Sequence, residues 1–290
     1  MYSINLEQRQ YKTYILADSD SAAKVEIVPE RGGIATLWSI ANQDVFYLDR
    51  ERFKSPDLSV RGGNPILFPL CGNLPDNKYS VDGKSYDIKQ HGFARELPWQ
   101  VADQNTDDNG ASLSLILESN QQTKQVYPFD FQLIFTYLLK GNSLKILQEY
   151  KNLDTKEMPF SAGFHPYFLC GNKNELELVI PSQNYQDNKT KQVNAFKGKF
   201  DFELEEIDYA FGNLSNSSTS ALDKDRRLKL SIEYDGFTTW LVFWTVKGKE
   251  FFCLEPWSAT RNAFNTGDNL TILKPSQSHK AAVEYRAEFF

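Results

Sequence analysis

Along most of this chain, apolar side chains recur at every second position, the period of a strand buried on one face. Leu113, Leu115 and Leu117 follow it in 111–118. Phe129, Phe131, Leu133, Phe135, Tyr137 and Leu139 follow it in 129–139. Leu144 and Ile146 continue the pattern, and Leu228, Leu230, Ile232 and Tyr234 repeat it. In the last stretch Val283, Tyr285, Ala287 and Phe289 share one face, with Glu284, Arg286 and Glu288 on the other. One buried face and one wetter face is how antiparallel sheets usually read. Asp82-Gly83 reads as a two-residue hairpin turn. Asn109-Gly110, Gly141-Asn142, Asp235-Gly236 and Lys247-Gly248 separate further strands. No long segment has a helical period, and short helical turns are expected near 41–54. Many strands at short intervals argue for an all-β sandwich rather than alternating βαβ units. The Ser- and Asn-rich stretch from Asn213 to Asp225 reads as a surface loop, and the polar segment 181–200 as a second irregular excursion. Neither reads as a domain linker, because strands resume after each.

A length of 290 residues suits one large sandwich, and 41 % hydrophobic with 14 % aromatic residues is ample for its core. The net charge is −6, so the broad basic surface that a nucleic-acid partner requires is missing. An anionic ligand would have to be held by a few local arginines. Cys71, Cys170 and Cys253 are far apart and odd in number, which reads as reduced thiols rather than a disulfide frame or a metal site. The start of the chain lacks the basic and apolar run of a signal peptide, and no stretch is long enough to cross a bilayer. A cytoplasmic protein without a membrane partner is the expectation.

Three histidines exist, and two have distinctive settings. His91 lies in Gln90-His91-Gly92-Phe93-Ala94-Arg95. His165 lies in Gly163-Phe164-His165-Pro166-Tyr167-Phe168, where the following proline favours an extended backbone. His279 reads as an exposed loop residue before the last strand. Glu255 ends a very apolar run and is followed by Pro256-Trp257. A carboxylate buried there needs hydrogen bonds, a charged partner or a raised pKa, which makes it a candidate general base. In Arg61-Gly62-Gly63-Asn64-Pro65, the two glycines allow a tight turn or a close approach of backbone to ligand. No Gly-Lys-Ser/Thr follows at the spacing of a phosphate loop, and no helix follows, so this is not one. Each residue also has a plain structural explanation: a satisfied histidine, a strand-end ion pair, a tryptophan closing the core. Spacing alone does not bring them together.

Taken in order, these four segments resemble the aldose 1-epimerase (galactose mutarotase-like) family, over nearly the whole chain from Gly32-Gly33-Ile34 to the last strand. The likeness is greatest to a cyanobacterial-type branch, with features of the hexose-6-phosphate 1-epimerases. The resemblance implies one domain over residues 1–290, a galactose mutarotase-like supersandwich with an open cleft, and a reaction without cofactor or metal. It assigns Glu255 as the base that takes the anomeric proton, His165 as the acid that protonates the ring oxygen, and His91 as the histidine that binds and polarises the sugar. Arg61, Gln90 and Arg95 match substrate positions of the hexose-6-phosphate branch, and arginine forks suit phosphate. Asp208 matches, less closely, an aspartate that binds sugar hydroxyls, and Trp257 is expected at the substrate. Pro166 and the hairpin-bearing segment between Phe68 and His91 depart from that branch, which leaves free and phosphorylated aldoses both open. The partner implied is a small-molecule sugar or sugar phosphate, acted on by a monomer or weak dimer. The rival is a non-catalytic carbohydrate-binding sandwich, which needs no matched acid and base. A glycoside hydrolase of the common kind would need two carboxylates, and only Glu255 is well placed.

Overall fold

In the computed structural model, which describes residues 1–290, the alternating segments form three large antiparallel sheets. The longest has eight strands in the order Leu176–Val179, Ser218–Asp223, Leu228–Tyr234, Ser278–Phe289, Ser143–Asn152, Phe131–Lys140, Gly110–Glu118 and Gln100–Asp107. Its hairpins fall where the turn residues put them. Lys140 pairs with Ser143 across Gly141-Asn142, and in a separate small hairpin Val81 pairs with Lys84 across Asp82-Gly83.

The second sheet runs Val193–Ala195, Asn184–Asp187, Glu206–Phe211, Trp240–Val246, Phe251–Trp257, Gly163–Phe164 and Ile66–Leu67, with Tyr167–Leu169 also pairing with Phe251–Trp257. An N-terminal sheet of five strands between Tyr2 and Asp44 joins it where Ala35 bridges Asn64. Side chains from all three sheets meet in one core of 56 buried residues. Phe135 of the long sheet packs on Phe164 of the second at 5.9 Å between ring centres, and Trp38 of the N-terminal sheet packs on Tyr285 at 6.4 Å. This is the sheet-on-sheet architecture that the alternation predicts.

The period of two also divides the second sheet. Ile207, Phe211, Phe243, Phe252 and Leu254 point into the common core. The residues between them, Asp208, Val242, Trp244, Cys253 and Glu255, point to the opposite face. That face is itself covered, so Phe251–Trp257 is buried at every position and reads in sequence as an unbroken apolar run.

Three expectations need correction. Within Asn213–Asp225, Ser218–Asp223 is a strand, with Thr219, Ala221 and Asp223 buried; its Ser-rich outward face hides the alternation. The segment 181–200 contains two short paired strands, Asn184–Asp187 and Val193–Ala195. His279 is not an exposed loop residue. It opens the strand Ser278–Phe289 opposite Tyr150, with its ring 4.6 Å from that of Phe237. The helical turn expected near 41–54 is Arg50–Lys54, capped by Asp49. A second, Gln121–Val126, has Asn120 and Thr123 as a reciprocal capping box. The three cysteines are unpaired and buried. No helix is long and apolar enough to cross a membrane.

The N-terminal sheet also fixes the loops beside the second sheet. Arg31 is buried and donates to the carbonyls of Ser55, Pro56 and Leu58 at 2.8, 2.8 and 2.6 Å, which anchors the segment leading to Arg61. Replacing it removes three charge-assisted bonds and leaves the cavity of a buried guanidinium. Arg31→Met is expected to lower unfolding free energy by about 3 kcal/mol, measured by chemical denaturation. A loss within error would show that the three bonds do not anchor that segment.

Candidate active site

The register of the second sheet sets its most unusual contact. Gly163 pairs with Trp257 and Tyr167 with Cys253, so His165 falls directly opposite Glu255. Pro166 has no N–H and cannot continue the ladder, which interrupts pairing at that point. His165 instead donates its backbone N–H to the Pro65 carbonyl at 3.0 Å, and Tyr167 donates to that of Gly63 at 2.9 Å. The side chains of His165 and Glu255 thus meet across the strands, Nε2 to Oε1 at 3.5 Å. Glu255 is 1 % exposed and His165 9 %. Tyr167 stacks on the His165 ring at 4.8 Å and 9°, which fixes its plane.

The segment Arg61-Gly62-Gly63 passes behind this pair. Gly62 and Gly63 have φ of 134° and 61°, and a Cβ on Gly63 would lie 2.4 Å from the Ala35 carbonyl oxygen. Only glycine fits so close to the neighbouring backbone. His91 also has a positive φ, 65°. Its N–H donates to the Gly72 carbonyl at 2.7 Å, and the Gly72 N–H donates to Nδ1 at 3.0 Å. This reciprocal pair settles the tautomer, since Nδ1 accepts and the neutral ring must carry its proton on Nε2. The Gln90 amide nitrogen lies 3.2 Å from Nε2; both are donors, so this contact does not satisfy the Nε2–H. The His91 ring is 5.5 Å from both His165 and Trp257.

All eight residues singled out in the sequence, Arg61, Gln90, His91, Arg95, His165, Asp208, Glu255 and Trp257, line one cleft of 240 Å³. Larger hollows of 390, 450 and 530 Å³ occur elsewhere, and none is lined by a histidine. Trp257 donates its indole N–H to Glu255 Oε2 at 3.1 Å. Arg95 donates to the Gln90 carbonyl at 2.9 Å, and the Arg61 guanidinium lies 6.0 Å from the Trp244 ring centre. Asp208 accepts from Asn188 and from Arg261, both at 2.8 Å. Arg261, Tyr167, Trp244 and Glu206 also line the cleft and were not singled out. Trp244 and Glu206 were within reach, because they share the strand parity of Glu255 and Asp208. Arg261 lies in a loop where no periodicity points to it.

Burial controls the electrostatics. It pushes the Glu255 carboxyl well above its ordinary range, with Asp208 adding repulsion and Arg261 and Trp257 opposing. It lowers His165 to about 3, helped by the nearby Arg95 charge, and lowers His91 well below its ordinary value. The His165–Glu255 pair therefore holds one proton over a wide pH range, and moving that proton from carboxyl to imidazole creates a base beside an acid. His165, Cys253 and Glu255 each bring one possible metal-ligand atom within 4.8 Å of the others. Burial keeps the Cys253 thiol protonated well above its usual range, and a thiol must lose its proton to ligate.

A protein-family model described as aldose 1-epimerase matches residues 22–286. The chain is similar to the chromosomal LacX protein of Lactococcus lactis, 28 % identical over 240 residues, 72 % of this chain and 78 % of that one. A Salmonella typhimurium protein named "Putative glucose-6-phosphate 1-epimerase" is 29 % identical over 132 residues, 46 % of this chain and 40 % of that one. The crystal structure of the Slr1438 protein from Synechocystis sp. PCC 6803 superposes with a TM-score of 0.95 at 45 % identity, covering 100 % of both chains.

The buried carboxyl has a measurable consequence for stability. Its folded pKa lies above the unfolded one, so the folded state disfavours ionisation. The resulting cost is absent below the unfolded pKa and grows as pH rises from there towards the folded value. Glu255→Gln keeps the shape and removes the titration. The melting-temperature difference between variant and wild type is expected to be small at about pH 4 and to grow in favour of the variant by about pH 8. A difference independent of pH would show that Glu255 does not titrate as burial dictates.

Proposed function

The chain belongs to the aldose 1-epimerase family, and on that premise we propose that it interconverts the α and β anomers of a hexose 6-phosphate by acid–base ring opening. One observation carries this reading: the buried His165–Glu255 pair forms the floor of a cleft where Arg61 and Arg95 have no carboxylate within ion-pair distance. Sugar hydroxyls need no such cations, whereas a phosphate dianion does, and two guanidinium forks suit its oxygens.

In this reading Glu255 accepts the proton of the anomeric hydroxyl while His165 delivers one to the ring oxygen. Both oxygens are bonded to C1, so acid and base must lie side by side, as this pair does. The C1–O5 bond breaks, the open-chain aldehyde rotates about C1–C2, and closure on the other face gives the other anomer. No electrons are transferred. His91 presents its Nε2–H as a fixed donor to a sugar oxygen. Asp208 and Arg261, already paired, bind hydroxyls, and Trp257 holds Glu255 while walling the cleft. The core shared by all three sheets supports reading residues 1–290 as one functional unit.

Anomer exchange measured by NMR, with glucose, galactose and glucose 6-phosphate compared, tests the proposal. Glu255→Gln and His165→Asn are each expected to slow exchange by about 100- to 10,000-fold with the fold intact. Near wild-type turnover in either variant would remove that residue from the mechanism. Exchange absent for every sugar, with binding retained, would favour a carbohydrate-binding module. Arg61→Ala is expected to raise KM for glucose 6-phosphate by about tenfold while leaving kcat for free glucose unchanged. An equal effect on both sugars would show that Arg61 does not read the phosphate.

The shared proton also fixes the pH profile. Falling pH adds a second proton near the low His165 value, and the base is lost. Rising pH removes the shared proton above the ordinary carboxylate range, and the acid is lost. The rate is expected to stay level through pH 6.5, where an unperturbed histidine would titrate. A step at that pH would show that His165 titrates outside the pair.

A further inference from the structure

The same face of the second sheet continues past the cleft into a groove of different chemistry. Ala210 follows Asp208 by two residues and so shares its face, and Trp240 lies opposite Trp257 in the adjoining strands. Beyond them opens a hollow of 390 Å³, lined among others by Ser182, Asn184, Gln186, Asn213 and Trp240. No Asp, Glu, Lys or Arg lines it. A second hollow of 530 Å³ meets it at Asn213, Ser215 and Trp240. The indole between them is positioned. A Cβ on Gly212 would come within 2.8, 2.9 and 3.0 Å of three of its ring atoms, so the ring lies close against a residue with no side chain. Its N–H donates to Asn269 Oδ1 at 3.2 Å.

An aromatic ring held in place, half-buried, and set beside a 390 Å³ hollow of amides and hydroxyls without any charge suits a neutral polyhydroxylated ligand, while Asp235 lines the second hollow. The ring covers the C–H face of a pyranose, and the amides donate to and accept from its hydroxyls. An anionic or cationic ligand would find no counter-charge in the 390 Å³ hollow. We propose that this groove is a saccharide subsite that holds a neutral sugar unit joined to the one in the cleft, so that the protein accepts the reducing end of a di- or oligosaccharide. The direction of that chain rests on the sugar reading of the cleft. The groove's own ligand class rests only on its lining.

The test uses methyl β-maltoside, which has no free anomeric hydroxyl and cannot react. The indole N–H signals of the intact protein are followed by NMR during titration in wild type and Gln186→Ala, and affinity is measured by calorimetry in these and in Trp240→Ala. The Trp240 signal is expected to shift in wild type, with affinity about tenfold weaker in Gln186→Ala and lost in Trp240→Ala. Anomer exchange of glucose 6-phosphate is expected to be unchanged in Gln186→Ala. No shift at Trp240, or unaltered affinity in both variants, would overturn the subsite while leaving the activity assigned to the cleft untouched. A Trp240 shift in a protein that exchanges no anomers would sustain the subsite and remove that activity instead.

Discussion

One cross-strand contact organises this molecule: an imidazole and a carboxyl set opposite each other in an antiparallel sheet and both largely buried. The pairings of Gly163 with Trp257 and of Tyr167 with Cys253 leave His165 and Glu255 no other register. A shift by one residue would carry Glu255 into the apolar core and bring Leu254 to the cleft. The sheet register is therefore also what sets the protonation of the site. Burial opposes charge on both groups, and their closeness lets one proton serve the two.

Holding such a pair demands support from elements distant in sequence. His165 takes its backbone bond from Pro65, and Gly63 can approach Ala35 only because it lacks a side chain. Arg31, in the short helical turn Pro29–Arg31 between two strands of the N-terminal sheet, holds the loop that precedes Arg61. Gly32 meets the backbone of Arg95 at a distance no Cβ would tolerate. The N-terminal sheet contributes no side chain to the cleft, yet the two arginines without carboxylate partners depend on it for position. This division is economical in physical terms, since rigid strands carry the acid–base pair and braced loops carry the groups that select the ligand.

The alternation of Phe131–Lys140 and its neighbours made the long sheet legible, because one face is core and the other is wetter. Ser218–Asp223 escaped for the opposite reason. Its outward positions are Ser218, Ser220 and Leu222 and its inward ones include Thr219 and Asp223, so polarity does not alternate even though burial does. His279 was misread because polar neighbours resemble a loop, while its contact with Phe237 arises only from tertiary packing. At the cleft, the segments around Arg61, His91, His165 and Glu255 were recognised by resemblance, and the fold brings them to one place. Arg261 was not legible, because a basic residue in an irregular loop carries no pattern and becomes notable only beside Asp208.

The second sheet also shows how one scaffold can change its ligand without changing its core. Positions 206, 208, 242, 244, 253 and 255 all project away from the common core, so their identity is free of the packing that the intervening residues must satisfy. Along this face the character runs from Arg61 over Trp244, through the buried pair at Glu255, to the uncharged hollow beside Trp240. A gradient from cationic to neutral along successive strands would orient an asymmetric ligand, with its anionic group drawn to one end and its uncharged part to the other. Orientation of this kind acts before any bond breaks, and it decides which ring atom meets the acid.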